Sequence, residues 1–267
     1  MFDGTLALVG AGNMGGAMLD GWLAGGLEPD HVTIVDPGLA GERRERWRGQ
    51  GVRIDAVDRS PDVIVLAVKP QMMADVLTDA ARMAGPNTLI VSVAAGITIA
   101  TLARAFGDAP LVRAMPNTPS QVSRGVTVCC ATPAVTPARR DVVDTLMRAI
   151  GTVEWIENET LMDAVTAVSG SGPAYVFLLA ETLAVAGERA GLPTDLALRL
   201  SRQTVAGAGE LLRRSEDTPE TLRRNVTSPG GTTAAALEVL AADDAFPDLL
   251  KQAVERAATR SKELSAP

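Results

Sequence analysis

Two kinds of hydrophobic pattern divide the chain. Up to about residue 160, short apolar runs such as TLALV, DVIVLAV and TLIVSVAAG alternate with segments of helical character. Continuous apolar runs of this length are typical of strands that are buried on both faces of a parallel sheet. After GTVEWIENE the hydrophobic period changes to about 3.6 residues, which indicates helices. The pattern therefore predicts an α/β domain at residues 1–160 and an all-α domain at residues 161–267.

The helices of the second half have recognisable beginnings. They are predicted to start near Leu161, Pro173, Asp195, Pro219, Thr233 and Ala245. Thr194 and Thr218 are interpreted as N-cap residues, because a threonine hydroxyl can accept a hydrogen bond from a free N–H of the first turn. The segment from Pro173 to Ala190 is apolar on most faces. A helix of this kind must be covered by other helices, from the same chain or from a partner.

A glycine-rich turn follows the first apolar run. Gly10, Gly12 and Gly15 form the pattern G-x-G-x-x-G between a predicted strand and a predicted helix. The first glycine permits a tight turn, the second lets a pyrophosphate approach the helix N-terminus, and the third allows close packing of helix and strand. We expect residues Gly10–Gly15 to bind a dinucleotide, with Asn13 either contacting the cofactor or capping the helix.

An acidic residue lies at the position where dinucleotide-binding folds bind the adenosine ribose. Asp36 ends the run HVTIVD, 21 residues after Gly15. A carboxylate there accepts hydrogen bonds from the adenosine ribose and repels a 2′-phosphate. Asp36 could instead serve only the turn before Pro37. The nearby Arg43, Arg44 and Arg46 could receive a phosphate or form one solvated helix face.

Other candidate residues lie where the later strands are predicted to end. Val68, Lys69 and Pro70 end one apolar run, and Ala94–Gly96 follows the next. Ligands of open parallel sheets bind at these carboxyl ends. Asn117, in a loop stiffened by two prolines, is expected to face the same crevice.

The stretch NVTSPGGTTAAALEVL, Asn225–Leu240, combines hydroxyl side chains and two glycines with an alanine-rich helix. A helix N-terminus has four N–H groups without partners and a partial positive charge. One hydroxyl could simply cap this helix. The glycines could also let a carboxylate or phosphate reach the backbone. The stretch alone leaves both interpretations open.

Composition narrows the range of possible functions. The 267 residues carry a net charge of −7, which argues against nucleic acid as a partner. No run of 18 or more apolar residues indicates a membrane span, and the N-terminus lacks the features of a signal peptide. Cys129 and Cys130 are adjacent within an apolar run, so we expect them in the core. A cytoplasmic enzyme or binding protein without a metal site is predicted.

The short inventory of acids and bases excludes several reductase chemistries. His31 is the only histidine, and it precedes the second strand. The only tyrosine, Tyr175, has Leu179 rather than a lysine four residues later, unlike the pair used by short-chain dehydrogenases. A protonated imine is a substrate that suits such a chain, because hydride addition to an iminium needs no proton for an alkoxide.

The motifs together resemble one family. GAGNMG, AVKP, VSVAAGIT, RAMPNTP, DAVTAVSGSGPAYVF and NVTSPGGTTAAALEVL occur in the order found in Δ1-pyrroline-5-carboxylate reductases, over nearly the whole chain. The resemblance implies a Rossmann-type dinucleotide-binding domain followed by an all-α dimerisation domain, and NAD(P)H-dependent reduction of L-1-pyrroline-5-carboxylate to L-proline. It also implies a homodimer through the helical domain, which in this family often assembles into a decamer of five dimers.

The resemblance also assigns roles to residues. The substrate would contact Glu159, Ser228, Gly231, Thr232 and Thr233, with Thr233 as the catalytic candidate. The cofactor would contact a larger set: Gly10, Ala11, Gly12, Asn13, Met14, Gly15, Asp36, Asp58, Ala67, Val68, Lys69, Pro70, Ala94, Ala95, Gly96 and Asn225, beside Asn117 from the sheet pattern. Many relatives have other residues at the position of Asp36, so NADH is expected as well as NADPH.

Two alternatives differ in function. A 3-hydroxyacid or ketoacid reductase shares the two-domain layout, but its acid/base lysine would belong on the helix GPAYVFLLAET, which has none. A non-catalytic dinucleotide-binding protein is the other alternative. The loop before Thr233, which is rich in hydroxyl side chains and glycines and suited to a substrate, argues against it.

Overall fold

The computed structural model describes residues 2–55, 57 and 59–265. The chain forms two compact units. The first contains the residues up to Gly170 together with those from Ala257 onward, and the second is Ser171–Arg256. The domain division predicted at residue 160 differs from these units at residues 161–170 and after residue 256. Those two segments belong to the first unit by their contacts.

The first unit is built on an eight-stranded sheet. Its strands, in chain order, are β1 Leu6–Val9, β2 Val32–Val35, β3 Arg53–Ile54, β4 Val63–Leu66, β5 Leu89–Ser92, β6 Leu111–Met115, β7 Gly125–Ala131 and β8 Gly151–Trp155. The spatial order is β3-β2-β1-β4-β5-β6-β7-β8. Neighbouring strands are parallel except β6 and β7, which are antiparallel. The first six positions have the strand order of a dinucleotide-binding sheet, which confirms the predicted Rossmann-type fold.

Helices cover both faces of this sheet. They are α1 Asn13–Ala24, α2 Gly41–Gly49, α3 Met73–Met83, α4 Ile99–Phe106, α5 Pro137–Arg148 and α6 Met162–Val165, followed by a π-helical turn, Thr166–Gly170. Alternate residues of β1 enter different cores. Leu6 and Leu8 join the cluster that contains Trp22, whereas Ala7 and Val9 join the opposite cluster. Burial on both faces explains why the strands read as continuous apolar runs.

The adjacent cysteines belong to this core, as predicted. Cys129 and Cys130 on β7 are both buried and both free. Since successive strand residues point to opposite faces, Cys129 packs with the Trp22 cluster and Cys130 with a small cluster around Met162. Burial raises the pKa of both thiols, and we assign them a packing role.

The second unit is entirely helical. Its elements are α7 Gly172–Arg189, α8 Thr194–Arg214, α9 Pro219–Asn225, α10 Thr232–Leu240 and the first part of α11 Ala245–Ser265. Thr218 caps α9 by accepting a hydrogen bond from the Thr221 N–H, as predicted. The prediction for Thr194 is wrong. Thr194 is already the first helical residue of α8, and the cap position belongs to Pro193.

Helix α7 carries an unusual amount of exposed apolar surface. Phe177 is 66% exposed in the isolated chain and Leu178 is 57% exposed, and Ala184 is the buried residue of the helix. Within the helical stretch Glu159–Arg189, an 18-residue window has a mean hydropathy of 1.3, so the stretch has the length and the composition of a membrane-spanning helix. The predicted absence of a membrane span rested on uninterrupted apolar runs, and polar residues interrupt this stretch. The expectation that α7 needs a cover from other helices remains.

Candidate functional site

The glycine turn connects β1 to α1 in the way the pattern predicts. Gly10 has φ +90°, a conformation that favours glycine. A Cβ atom on Gly15 would lie 2.2 Å from the carbonyl oxygen of Gly10, so only glycine fits where α1 meets the strand. A Cβ atom on Gly12 would meet no heavy atom of the described chain within 4 Å. The turn is therefore tight beneath Gly10 and Gly15 and open above Gly12.

Asp36 lies beside this turn, directly after β2. Its Oδ2 accepts a hydrogen bond from the Ala11 N–H at 2.8 Å, and its Oδ1 accepts one from the Gly38 N–H at 2.9 Å. A carboxylate offers about four acceptor positions, so these two bonds leave it able to accept from a ribose. Asp36 thus serves its own turn, as the simpler interpretation held, and it also organises the glycine turn.

A cleft of about 490 Å³ opens at the carboxyl ends of β1, β4 and β5. Eleven of the predicted cofactor residues line it: Gly10, Gly12, Asn13, Met14, Asp36, Ala67, Val68, Lys69, Pro70, Ala94 and Ala95. Met72 and Val93 also line it and had not been predicted. Ala11 and Gly15 are buried beneath the turn. Gly96 follows in the loop after β5, and Asp58 lies outside the described residues.

Arg43, Arg44 and Arg46 of α2 do not act as one group. Arg44 pairs with Asp55 and Arg46 pairs with Asp20. Arg46 also lies over the ring of Trp47, 5.2 Å from its centroid. These two contacts favour the interpretation of a helix face over that of a phosphate site. Arg43 lines a separate groove with Asp20 and Trp47.

The side-chain amide of Asn117 is hydrogen-bonded to neighbouring residues of the first unit. Its Oδ1 accepts a hydrogen bond from the Val126 N–H at 3.0 Å, and its Nδ2 donates to Ser169 at 3.3 Å. The side chain joins the start of β7 to the π-helical turn. Its predicted cofactor contact remains a prediction.

Glu159 is held by two partners in the first unit. Its Oε1 accepts hydrogen bonds from Arg113 Nη1 at 2.8 Å and from the Ile99 N–H at 2.9 Å. Sequence reasoning missed Arg113, which is 5% exposed. The signal was available, because an arginine within the apolar strand PLVRAMP needs a buried acidic partner.

The remaining predicted residues lie in the second unit, around the start of α10. Gly231 occupies the N-cap position, and no side chain of the described residues caps this helix. Gly230 has φ +67°, and the Gly231 N–H donates to the Ser228 carbonyl at 3.0 Å. Ser228 and Thr232 are exposed, Thr233 is half-buried, and Asn225 ends α9. The simple hydroxyl cap is therefore absent, and the N–H groups of the first turn remain available.

Among the described residues, no group of three or more histidine, cysteine, aspartate and glutamate side chains is placed to hold a metal ion.

Two family models match the chain. "Pyrroline-5-carboxylate reductase dimerisation" matches residues 159–264, and "NADP oxidoreductase coenzyme F420-dependent" matches residues 5–96. The first match includes α6 to α11, and the second covers the sheet from β1 to β5.

Individual proteins extend the match to the full length. Pyrroline-5-carboxylate reductase from Pseudomonas aeruginosa is 42% identical, covering 97% of this chain and 96% of that protein. The structure of a pyrroline-5-carboxylate reductase from Coxiella burnetii superposes with a TM-score of 0.92 at 34% identity, covering all of both chains. Pyrroline carboxylate reductase from Plasmodium falciparum, solved with NADP bound, has a TM-score of 0.84 at 29% identity, again covering both chains fully.

The fold, the glycine turn with its cleft, and the similarity over both units lead to one conclusion. This chain belongs to the pyrroline-5-carboxylate reductase family.

Proposed function

We propose that this protein reduces L-1-pyrroline-5-carboxylate to L-proline with NAD(P)H. The observation that carries the proposal is the 42% identity to a reductase of this name over 97% of the chain. A match of that extent includes both the dinucleotide cleft and the loop before α10. The activity belongs to oxidoreductases that act on a C=N bond.

The cleft fits a dinucleotide. The unobstructed side of Gly12 lets a pyrophosphate approach, and the α1 N-terminus directs N–H groups and partial positive charge toward it. Lys69 is exposed at the same cleft and adds a cation. When bound, the nicotinamide supplies the hydride. The residues that would hold the cofactor are those predicted from the sequence, including Asn117, Asn225 and the undescribed Asp58.

Asp36 favours NADH over NADPH in this proposal. A 2′-phosphate near its carboxylate would be repelled, by about 1 kcal/mol at contact distance in water. Because Arg44 and Arg46 are already paired with Asp55 and Asp20, neither offsets that repulsion freely. The bound NADP of the Plasmodium falciparum relative keeps NADPH as the second cofactor of the proposal.

The loop before α10 binds the substrate carboxylate in this proposal. The N–H groups of Thr232 and Thr233 stand at a helix N-terminus without a capping side chain, and such a terminus attracts an anion. The Gly231 N–H already donates to the Ser228 carbonyl, so Gly231 contributes by leaving room for the carboxylate beside the backbone. The hydroxyls of Ser228 and Thr233 add donors. Thr233 therefore orients the imine, and no residue has to supply a proton, because the iminium nitrogen already carries one.

The competing ketoacid chemistry lacks its base. A 3-hydroxyacid reductase would need a lysine on α7, and the helix GPAYVFLLAETLAVAGER contains none. His31 precedes β2, at the strand end opposite to the cleft. The proposed iminium reduction needs neither residue.

The assembly is proposed to be a homodimer that pairs through the helical residues 161–267, with a decamer of five dimers as the larger form. A family model described as a dimerisation domain covers residues 159–264. Pairing would also cover the exposed Phe177 and Leu178 of α7. We place the enzyme in the cytoplasm, with residues 1–160 as its cofactor-binding domain.

Deuteride transfer tests the reaction itself. The protein is incubated with pyrroline-5-carboxylate and NADH or NADPH carrying deuterium at the transferable position, and the product is analysed by mass spectrometry. We expect L-proline with one deuterium on the ring carbon that was double-bonded to nitrogen. Unlabelled proline, or no proline with either cofactor, contradicts the proposal.

A further inference from the structure

We propose that Glu159 is a positioning residue of the cofactor cleft, whose carboxylate fastens the N-terminus of α4 to β6 and so fixes the loop after β5. The inference rests on the proposed function, because it concerns how the same cleft is held ready for its dinucleotide. It gives Glu159 a different task from the substrate contact that the family resemblance implied.

The first contact that holds Glu159 is an ion pair with a buried arginine. Arg113 lies on β6, with its side chain 6% exposed, beside Ser92 of the neighbouring strand β5. An isolated charge in such a place is costly unless an opposite charge compensates it. Glu159 Oε1 lies 2.8 Å from Arg113 Nη1 and provides that charge. Glu159 is thereby tied to the middle of the sheet.

The second contact is a hydrogen bond between Glu159 and the first turn of α4. Ile99 is the first residue of this helix, and its N–H donates to the same Glu159 Oε1 at 2.9 Å. Thr98 accepts a hydrogen bond from the Thr101 N–H at 3.1 Å. Carboxylates near a helix N-terminus are stabilising because of the dipole and the free N–H groups. Two of the free donors of α4 are therefore satisfied, one of them from outside the helix.

The loop between these fixed points lines the cleft. It runs from Val93 to Thr98 and contains Ala94 and Ala95, which line the cleft, and Gly96, which has φ +77°. One end of the loop is held by β5 through the sheet. The other end is held by Glu159 through Ile99. Loss of the Glu159 charge would weaken the hold on the Thr98 end of the loop. It would also leave the buried Arg113 charge without its partner, so the cleft should lose its shape on the β5 side.

The test separates cofactor binding from substrate binding. Glu159→Gln keeps the size of the side chain and removes the charge. We expect its Kd for NADH, measured by fluorescence without substrate, to rise about tenfold. The KM for pyrroline-5-carboxylate and kcat at saturating cofactor should change less than twofold. An unchanged Kd with a raised substrate KM would overturn the proposal in favour of a substrate contact.

A neighbouring glutamate provides the control. Glu157 is exposed and pairs with Arg140 at the surface, so Glu157→Gln should leave both constants unchanged. An equal rise of Kd in Glu157→Gln would also overturn the proposal, because the effect would then be general to this segment.

A double variant covers the case in which the single variant does not fold. Arg113→Met with Glu159→Leu leaves no buried charge, and such replacements of buried pairs are often tolerated. Leucine offers no acceptor to the Ile99 N–H, so we expect the same rise in Kd. A folded double variant with wild-type Kd overturns the proposal. Since Kd is measured without substrate, this result is independent of whether the wild type makes proline.

Discussion

The Asp36 carboxylate and the Ala11 amide are joined by a hydrogen bond of 2.8 Å, so the residue expected to read the ribose also holds the glycine turn. A substitution at Asp36 therefore changes two things at once, the charge near the ribose and the geometry of the turn. Separating them requires two substitutions of different chemistry.

Asp36→Ser and Asp36→Asn both remove the charge, and Asn keeps a side-chain oxygen for one of the two N–H groups. We expect both to raise the ratio of kcat/KM for NADPH to that for NADH by about fivefold or more, corresponding to about 1 kcal/mol. Asp36→Ser should lower Tm further than Asp36→Asn does. Asp79→Asn, at an exposed position on α3, serves as the control. Unchanged ratios in both folded variants would show that Asp36 does not set the preference.

The glycines of the turn predict opposite phenotypes. Gly15→Ala should destabilise the protein by about 1–3 kcal/mol, because its Cβ atom would collide with the Gly10 carbonyl. Gly12→Ala should leave the free energy of unfolding within about 0.5 kcal/mol, since its Cβ atom meets no described atom. The methyl group should instead obstruct the pyrophosphate and raise Kd for both cofactors. Urea unfolding and cofactor titration measure the two effects. Equal destabilisation by both changes would refute this division of roles.

Much of this site could be predicted because its signals are local. Gly10, Gly12 and Gly15 act within six residues, and the carboxyl ends of strands follow from apolar runs. The hydrogen bond between Asp36 and Ala11 could not be predicted, since it depends on how β1 and β2 pair. The same holds for the partner of Arg113: the arginine stands out within its apolar strand, but Glu159 is 46 residues away.

The fold shows the same limit. Strand β3 has two residues, too few for a hydrophobic period, and β8 exposes Thr152 and Glu154 to solvent. Neither was predicted as a strand. The antiparallel pairing of β6 with β7 follows from the chain reversing after Asn117, which no short pattern reveals. Thr194 was mistaken for a cap because hydroxyl residues are also accepted in a first helical turn.

The apolar surface of α7 predicts self-association. Static light scattering should give at least twice the chain mass of 27.8 kDa at micromolar concentration. Phe177→Glu places a charge on this surface and should shift the protein toward monomer, since burying such a side chain contributes about 1.5–3 kcal/mol per copy. Arg82→Glu, at an exposed position on α3, should leave the mass unchanged. A folded wild-type monomer would contradict the proposed assembly.

The buried thiols should be unreactive in the native protein. Burial raises the pKa of Cys129 and Cys130, so at pH 8 both remain protonated and shielded. We expect no modification by a thiol reagent until the protein unfolds. Above about pH 9 the unfolded chain loses thiol protons that the folded chain keeps, so stability should fall as pH rises. Rapid modification of the native protein would show that this core is open.

Thr233→Val distinguishes a substrate contact from a purely structural role in α10. The change keeps the shape and removes the hydroxyl. Loss of a hydrogen bond to a carboxylate should lower kcat/KM for pyrroline-5-carboxylate by about 10- to 150-fold, or about 1.5–3 kcal/mol. Cofactor Kd and Tm should stay near wild type. Thr145→Val, on α5, is the matched control. A variant that melts early but turns over normally would show that Thr233 stabilises α10 and does not bind the substrate.

The most direct test of the proposed function is the initial rate of NAD(P)H oxidation by the wild-type protein in the presence of pyrroline-5-carboxylate, compared with a panel of 2- and 3-ketoacids. We expect saturable oxidation with the imine, at a kcat/KM of about 10⁴ M⁻¹s⁻¹ or more with at least one cofactor, and negligible oxidation with the ketoacids. Oxidation driven by a ketoacid but not by the imine, or no imine-dependent oxidation with either cofactor, would contradict it.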